Sequence, residues 1–254
     1  MTALDGKVAI VTGASSGIGF ATAELFAAEG ASVVIGARRE GHLNRLADKI
    51  AASGGRAVAL AGDVQDEDYA RALVDTAVRE FGGLDIALNN AATMGIQGAI
   101  SEMSRQNWTT TIETNLTGAF LGAKYQIPAM QQRGGGSLIF TSTFVGYTVG
   151  FPGTVAYAAS KAGLIGMTQV LAAEYGPLGI RVNALLPGGT DTDMAREMNN
   201  TDEAQAFVRS IHALKRLALP AEIARSALFL ASDASSFTTG IALLADGGVS
   251  ITRT

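Results

Sequence analysis

Short apolar runs alternate with longer amphipathic stretches along almost the whole chain. The runs Val8–Val11, Ser32–Gly36, Ala57–Ala61, Ile86–Asn89, Gly136–Thr141, Arg181–Leu186 and Ile241–Ala245 are brief, rich in aliphatic residues and bounded by glycine or polar residues. Such segments suit strands buried on both faces of a parallel sheet. Between them, Gly17–Glu29, Glu40–Ala52, Asp66–Phe81, Asn107–Gln132, Ala156–Tyr175 and Pro220–Ala231 have helical patterning. Regular alternation of the two predicts an α/β fold, a doubly wound parallel sheet with helices on both faces. With no linker, repeat or low-complexity segment, residues 1–254 are expected to form a single domain. The alternation breaks at Gly189–Leu217. A long segment following a strand is expected to act as a substrate lid, the plainer alternative being a pair of amphipathic surface helices.

The first strand runs into Thr12-Gly13-Ala14-Ser15-Ser16-Gly17-Ile18-Gly19 and then into an alanine-rich helix. A helix start offers unpaired N–H groups and partial positive charge, which suit a pyrophosphate. Gly13 permits the tight turn, Gly17 lets backbone approach phosphate, and Gly19 allows close helix–strand packing. Gly13, Ser15, Ser16, Gly17, Ile18 and Gly19 are therefore expected to hold a dinucleotide. In a doubly wound sheet, ligands bind beyond the carboxyl ends of the strands. Asp63, Asn89, Asn90, Ser142, Thr143, Pro187 and Gly188 all lie at or just after such ends.

Composition narrows the classes. The net charge is −4 and there is no basic stripe, which argues against nucleic-acid binding. Cysteine is absent, so thiol catalysis, disulfides and thiolate metal sites are excluded. The two histidines, His42 and His212, are far apart in sequence, and no metal site is expected. No apolar run approaches the ~18 residues of a membrane span, and Met1 lies close to the first strand, so no membrane association and a cytoplasmic location are expected.

Tyr157 and Lys161 stand four residues apart in a small-residue helical stretch, which places phenol and ammonium on one helix face. A free tyrosine titrates near pH ~10. A cation held against it favours the phenolate and lowers that value, toward a group able to move protons at neutrality.

Taken together, these residues resemble the short-chain dehydrogenase/reductase family over nearly the whole chain, Lys7 to Gly248. The resemblance rests on Thr12-Gly13-x-x-x-Gly17-x-Gly19, Asn89-Asn90-Ala91, Asn115, Ser142/Thr143, Tyr157-x-x-x-Lys161, Pro187-Gly188 and Asp246-Gly247-Gly248. It implies a Rossmann-like fold and an enzyme acting on CH–OH groups. It makes Tyr157 the proton donor or acceptor, and Lys161 the residue that binds the nicotinamide ribose and lowers the tyrosine pKa. Asn115 is implied to hold a relay water, Asn89, Asn90 and Ala91 to line the cofactor, and Asp63 and Val64 to contact the adenine. Pro187, Gly188 and Thr192 are implied to meet the carboxamide. A homotetramer, with contacts through Asn107–Gln132, Ala156–Tyr175 and the last strand, is also implied.

Two positions depart from the family pattern. Ala92 stands where the family has glycine, and Phe144 falls at the usual spacing of the catalytic serine. Counting along the fifth strand puts that hydroxyl at Thr143, on the same strand face as Ile139 and Thr141, whereas Ser142 points the other way. Thr143 is preferred, with Ser142 as the alternative.

The second strand ends Gly36-Ala37-Arg38-Arg39. An acidic residue there would bind ribose hydroxyls and repel a 2′-phosphate, but Ala37 fills the position and two arginines follow. Guanidinium suits a phosphate in charge and geometry. NADP(H) is expected in preference to NAD(H), with Arg38 the main contact and Arg39 secondary. The expected reaction interconverts a ketone or 3-oxoacyl group and a secondary alcohol on a small-molecule substrate. Phe144, Tyr147, Val149, Phe151 and Met194 could give the pocket an apolar lining. Alternatives are a non-catalytic NADP-binding regulatory protein, an NAD-dependent alcohol dehydrogenase of the same family, and an epimerase or dehydratase that keeps its nucleotide.

Overall fold

The computed structural model describes residues 2–252. Seven strands form one sheet: β1 (Val8–Thr12), β2 (Ser32–Ala37), β3 (Arg56–Ala61), β4 (Ile86–Asn89), β5 (Gly136–Thr141), β6 (Ile180–Pro187) and β7 (Ala242–Ala245). Their order is β3-β2-β1-β4-β5-β6-β7, and every neighbouring pair is parallel. The chain winds outward from β1 to β3, then returns to start β4 on the other side of β1. That reversal opens a crevice above the carboxyl ends of β1 and β4, the place where α/β sheets bind ligands.

Central strands β1, β2 and β4 are buried along their whole lengths, because helices cover both faces. One layer of core gathers Val11, Phe26, Val33, Ile35, Leu43, Leu88 and Leu185. The opposite layer gathers Ile10, Val34, Leu73, Leu138, Phe140, Leu164 and Val182. Neighbouring positions on one strand, such as Ile10 and Val11, fall in different layers, as period-two alternation requires.

The covering helices are α1 (Gly17–Ala28), α2 (Glu40–Ala52), α3 (Glu67–Phe81), α4 (Arg105–Ile112), α5 (Gly118–Gln132), α6 (Val155–Tyr175) and α9 (Pro220–Ala231). The single helix expected over Asn107–Gln132 is in fact three pieces. It begins at Arg105, where Ser104 Oγ accepts the Asn107 N–H at 3.1 Å, and it widens to a π-helical turn at Glu113–Thr117 before α5. Single-turn π segments recur at functional sites. This one carries Asn115, 1% exposed.

The interrupted stretch Gly189–Leu217 holds two short helices, α7 (Asp193–Met198) and α8 (Asp202–Ile211). Thr192 and Thr201 cap them, each hydroxyl accepting an N–H three residues on, at 3.2 Å. Neither helix has a buried residue, and Met194, Met198 and Phe207 are exposed.

Candidate active site

The glycine loop is built by close approach. A Cβ on Gly13 would lie 2.8 Å from Asn90 Nδ2 and 2.9 Å from Ala91 Cα, and one on Gly19 would collide with the Gly13 carbonyl. Gly13 and Gly17 also have φ of +68° and +57°, in the left-handed region that L side chains avoid. Thr12 ties the loop to β4: its Oγ1 accepts the N–H groups of Asn90 (3.0 Å) and Ala91 (3.2 Å). Asn90 Nδ2 donates back to the Thr12 carbonyl at 3.2 Å. Asn89 is anchored differently, through reciprocal amide bonds to Gln126 of α5 at 2.8 and 3.1 Å. Gln126 carries no motif of its own, so only its partner in space marks it.

The α1 N-terminus has no side-chain cap. Over it lies the Arg39 guanidinium, donating to Ser15 Oγ (2.9 Å) and Ser16 Oγ (2.8 Å). The two arginines differ in their contacts. Both are exposed, but Arg39 is folded onto the glycine loop, whereas Arg38 has no side-chain hydrogen bond among the described residues. Asp63 sits beyond β3, its carboxylate accepting the Gln65 N–H at 3.1 Å. Val64 packs so closely on Gly118 that a Cβ there would lie 2.9 Å from its Cγ2.

At the other side of the crevice, α6 is fastened to the end of β5 by two bonds running in opposite directions. Lys161 Nζ donates to the Thr141 carbonyl at 2.6 Å, and Ser142 Oγ donates to the Lys161 carbonyl at 2.8 Å. Ser142 thus points into the β5–α6 joint, whereas the Thr143 hydroxyl faces the Tyr157 phenol and draws its pKa down. The two hydroxyls, just past the end of β5, are turned to different neighbours.

The electrostatics of Tyr157 differ from the sequence expectation. Burial pushes the phenol above its ordinary value, and the Thr143 hydroxyl pulls it back only in part. The expected lowering by Lys161 is missing because that ammonium is aimed at the Thr141 carbonyl. Lys161 itself is 2% exposed, and burial lowers its pKa to about 7.

Asn115 spends its side chain on neighbours. Its Oδ1 accepts the Thr93 N–H at 2.8 Å, and its Nδ2 donates to the Thr93 carbonyl (2.8 Å) and to Ser160 Oγ (3.0 Å). Ser160 Oγ donates in turn to the Tyr157 carbonyl at 2.7 Å. Thr93 and Ser160 went unremarked in the sequence, although Ser160 lies inside the Tyr157–Lys161 stretch.

Pro187, Gly188 and Thr192 follow β6 toward the lid segment. The Thr192 hydroxyl caps α7, so the face it turns to Gly17 is its methyl, 2.9 Å from where a Gly17 Cβ would be. The loop after β5 closes on itself, with Gly146 N–H donating to the Val149 carbonyl at 2.8 Å. Phe144 is 7% exposed and meets Phe151 edge-to-face at 5.9 Å, in a cluster with Val149, Tyr157, Ala158 and Ile211. Tyr147 and Met194 are exposed.

A family model described as enoyl-(acyl carrier protein) reductase matches residues 13–250. The 2,5-dichloro-2,5-cyclohexadiene-1,4-diol dehydrogenase of Sphingobium indicum is 43% identical over 252 residues, covering 98% of each chain. The cis-4-hydroxycyclohexanecarboxylate dehydrogenase of Sinomonas cyclohexanicum is 40% identical, covering 95% of this chain and 96% of its own. The crystal structure of a short-chain type dehydrogenase/reductase from Mycobacterium marinum superposes with a TM-score of 0.93 at 36% identity, covering 98% and 97% of the two chains. The chain belongs to the short-chain dehydrogenase/reductase family.

As a short-chain dehydrogenase/reductase it is an oxidoreductase acting on CH–OH groups, interconverting alcohol and ketone. The family's cofactor is a nicotinamide dinucleotide, and the glycine loop fits one. Cβ atoms are absent where phosphate would approach, the helix start is uncapped, and a guanidinium lies over it. No helix among the described residues is long and apolar enough to cross a membrane.

Burial of Lys161 has a consequence for stability. With its folded pKa near 7 and the unfolded value near ~10.4, the unfolded chain carries a proton on this amine that the folded chain has shed across that interval. Stability therefore rises with pH from about 7 upward. Tyr157, raised above ~10, contributes only in more alkaline solution and with the opposite slope. Without added nucleotide, the urea midpoint of the wild type should rise between pH 7 and 9 by more than that of Lys161→Met. Equal rises in the two proteins would show that Lys161 stays charged in the folded chain.

Proposed function

We propose that this enzyme interconverts an alicyclic secondary alcohol and its ketone with NADP(H), Tyr157 moving the proton. The observation that carries the reading is the meeting of the Tyr157 phenol and the Thr143 hydroxyl beside the Lys161 joint, at the sheet edge that also holds the glycine loop. When bound, the dinucleotide supplies or accepts the hydride. In reduction Tyr157 gives its proton to the carbonyl oxygen, and in oxidation it takes that proton back. Burial keeps the phenol protonated, which suits the donor role. Thr143 donates a hydrogen bond to the same oxygen, where negative charge develops. Ser142, spent on the Lys161 carbonyl, is not that donor. Asn115 acts by holding Thr93 and Ser160 in place.

A ring substrate is favoured by the names of two relatives, a cyclohexadienediol and a hydroxycyclohexanecarboxylate dehydrogenase. Phe144, Phe151 and Val149 next to Tyr157 supply an apolar wall for such a ring. The segment 189–217 is the lid. Arg39, helped by Arg38, is the group we assign to a 2′-phosphate, with Ala37 offering no competing carboxylate. Exposed Trp108, Phe120 and Val170 on α4, α5 and α6, and Ile241 and Leu244 about β7, fit the contact faces of a homotetramer. A cytoplasmic site of action accords with this reading.

Turnover of cyclohexanols, cyclohexanones and a 3-oxoacyl thioester, followed at the nicotinamide absorbance with both cofactors, tests the assignment. Tyr157→Phe should lose about two to four orders of magnitude in kcat. Thr143→Ala should lose about two, while Ser142→Ala keeps most of its turnover. Wild-type rates in Tyr157→Phe would remove the acid from the mechanism. Arg39→Ala should raise the KM for NADPH more than Arg38→Ala does, leaving that for NADH unchanged. A wild-type preference for NADH would reverse the cofactor assignment.

A further inference from the structure

His212 is 1% exposed and commits both ring nitrogens. Its Nε2 accepts the Gly189 N–H at 2.9 Å, and its Nδ1 lies 2.6 Å from the Val208 carbonyl oxygen. A carbonyl can only accept, so Nδ1 carries the proton and Nε2 the lone pair. The two partners together specify the neutral imidazole in one tautomer.

These partners belong to different parts of the fold. Val208 is in the last turn of α8, and His212 is the residue that ends that helix. Gly189 is in the loop leaving β6, directly after Pro187 and Gly188. The contact is close-packed as well as hydrogen-bonded. A Cβ on Gly189 would lie 2.9 Å from His212 Cε1 and 2.8 Å from Leu217 Cδ2. The same loop is held from its other sides by backbone bonds, Gly188 N–H to the Ala245 carbonyl (3.1 Å) and Ala218 N–H to the Gly189 carbonyl (2.9 Å). His212 completes this frame with a side chain drawn from the far end of the two-helix segment.

We propose that His212 is a positioning residue for the nicotinamide end of the dinucleotide. Through Gly189 it sets the backbone of Pro187–Thr192 and couples that loop to α8. The proposal rests on the reading that this loop meets the carboxamide. It requires a neutral ring, since an imidazolium would turn an N–H toward the Gly189 N–H. The charged groups around the ring are bonded to other partners. Arg216 and Glu222 line the same small cavity but are paired with each other at 2.7 Å, and the Asp246 carboxylate accepts the Gly248 and Ser250 N–H groups at 3.0 Å. Lys215 meets His212 only through its backbone N–H, and Arg209 only through its carbonyl.

The test is a fluorescence titration of the full chain with NADPH and with 2′-phospho-ADP-ribose, which lacks the nicotinamide, and in parallel with NADH and ADP-ribose. His212→Leu keeps bulk without an acceptor. His212→Gln offers Oε1 near the place of Nε2. We expect His212→Leu to bind the complete dinucleotide about tenfold more weakly while its affinity for the fragment is unchanged. His212→Gln should restore most of the loss. Hydrogen exchange at the Gly189 amide should speed up in His212→Leu with no nucleotide present. Unchanged dinucleotide binding in His212→Leu, or equal losses for dinucleotide and fragment, would overturn the proposal. A wild-type chain that bound neither dinucleotide would remove the cofactor reading itself and this proposal with it.

Discussion

The site depends on a buried amine bonded to a strand end. Lys161 Nζ on the Thr141 carbonyl and Ser142 Oγ on the Lys161 carbonyl form a reciprocal pair between α6 and β5. Removing an ammonium from water is costly, and a buried lysine responds by giving up its proton more readily. The fold accepts that cost at the point where α6 must stand in register with β5, because two residues past the strand end lies Thr143 and one turn earlier on the helix lies Tyr157. If the joint slipped, the phenol and the hydroxyl would no longer meet. Thr141 Oγ1 at the same strand end is a buried side-chain oxygen with no hydrogen-bond partner, so this corner holds local polar strain as well.

A second constraint acts on Tyr157 from the opposite side. Asn115 sits on a π-helical turn, where the widened backbone lets its amide reach both the Thr93 peptide and Ser160. Through the Ser160 hydroxyl the connection continues to the Tyr157 carbonyl. The residue that carries the phenol is thus held by α6's own backbone, by β5 through Lys161, and by the α4–α5 junction through Asn115. A side chain proposed to exchange protons while keeping its place gains from such redundancy, since each hydrogen bond alone has a net worth of only about 1 kcal/mol.

The chain's pattern made the architecture plain where one force dominates. The runs in β4 and β5 and the helices α2 and α9 fall at the residues their periodicity implies, because burial on a parallel sheet leaves few alternatives. The glycine loop was equally legible, since Gly13 and Gly17 need positive φ and Gly19 needs close approach. What the pattern hid depends on contacts between distant segments. The π turn has no sequence signature beyond Asn115. Thr93, Gln126 and His212 are ordinary residues until the fold places Asn115, Asn89 and Gly189 against them. The charge relation between Lys161 and Tyr157 failed for a similar reason. Helical spacing puts both on one face, but it does not reveal that a β5 carbonyl competes for the ammonium.

The arginine pair shows the same limit at smaller scale. Arg38 and Arg39 are adjacent, and strand periodicity alone points them to opposite sides. The decision comes from where β2 ends. Ala37 is the last strand residue and Arg39 is already the cap of α2, with φ −90° and ψ 88°, which swings its guanidinium back over Ser15 and Ser16. There it shields an uncapped helix start and occupies two hydroxyls that would otherwise face the crevice. A phosphate arriving beside this loop would meet a guanidinium already oriented by neutral hydroxyls, with no carboxylate partner to give up. Exchanging weak hydroxyl acceptors for a dianion needs little reorganisation, so Arg39 is better oriented for such a role than Arg38.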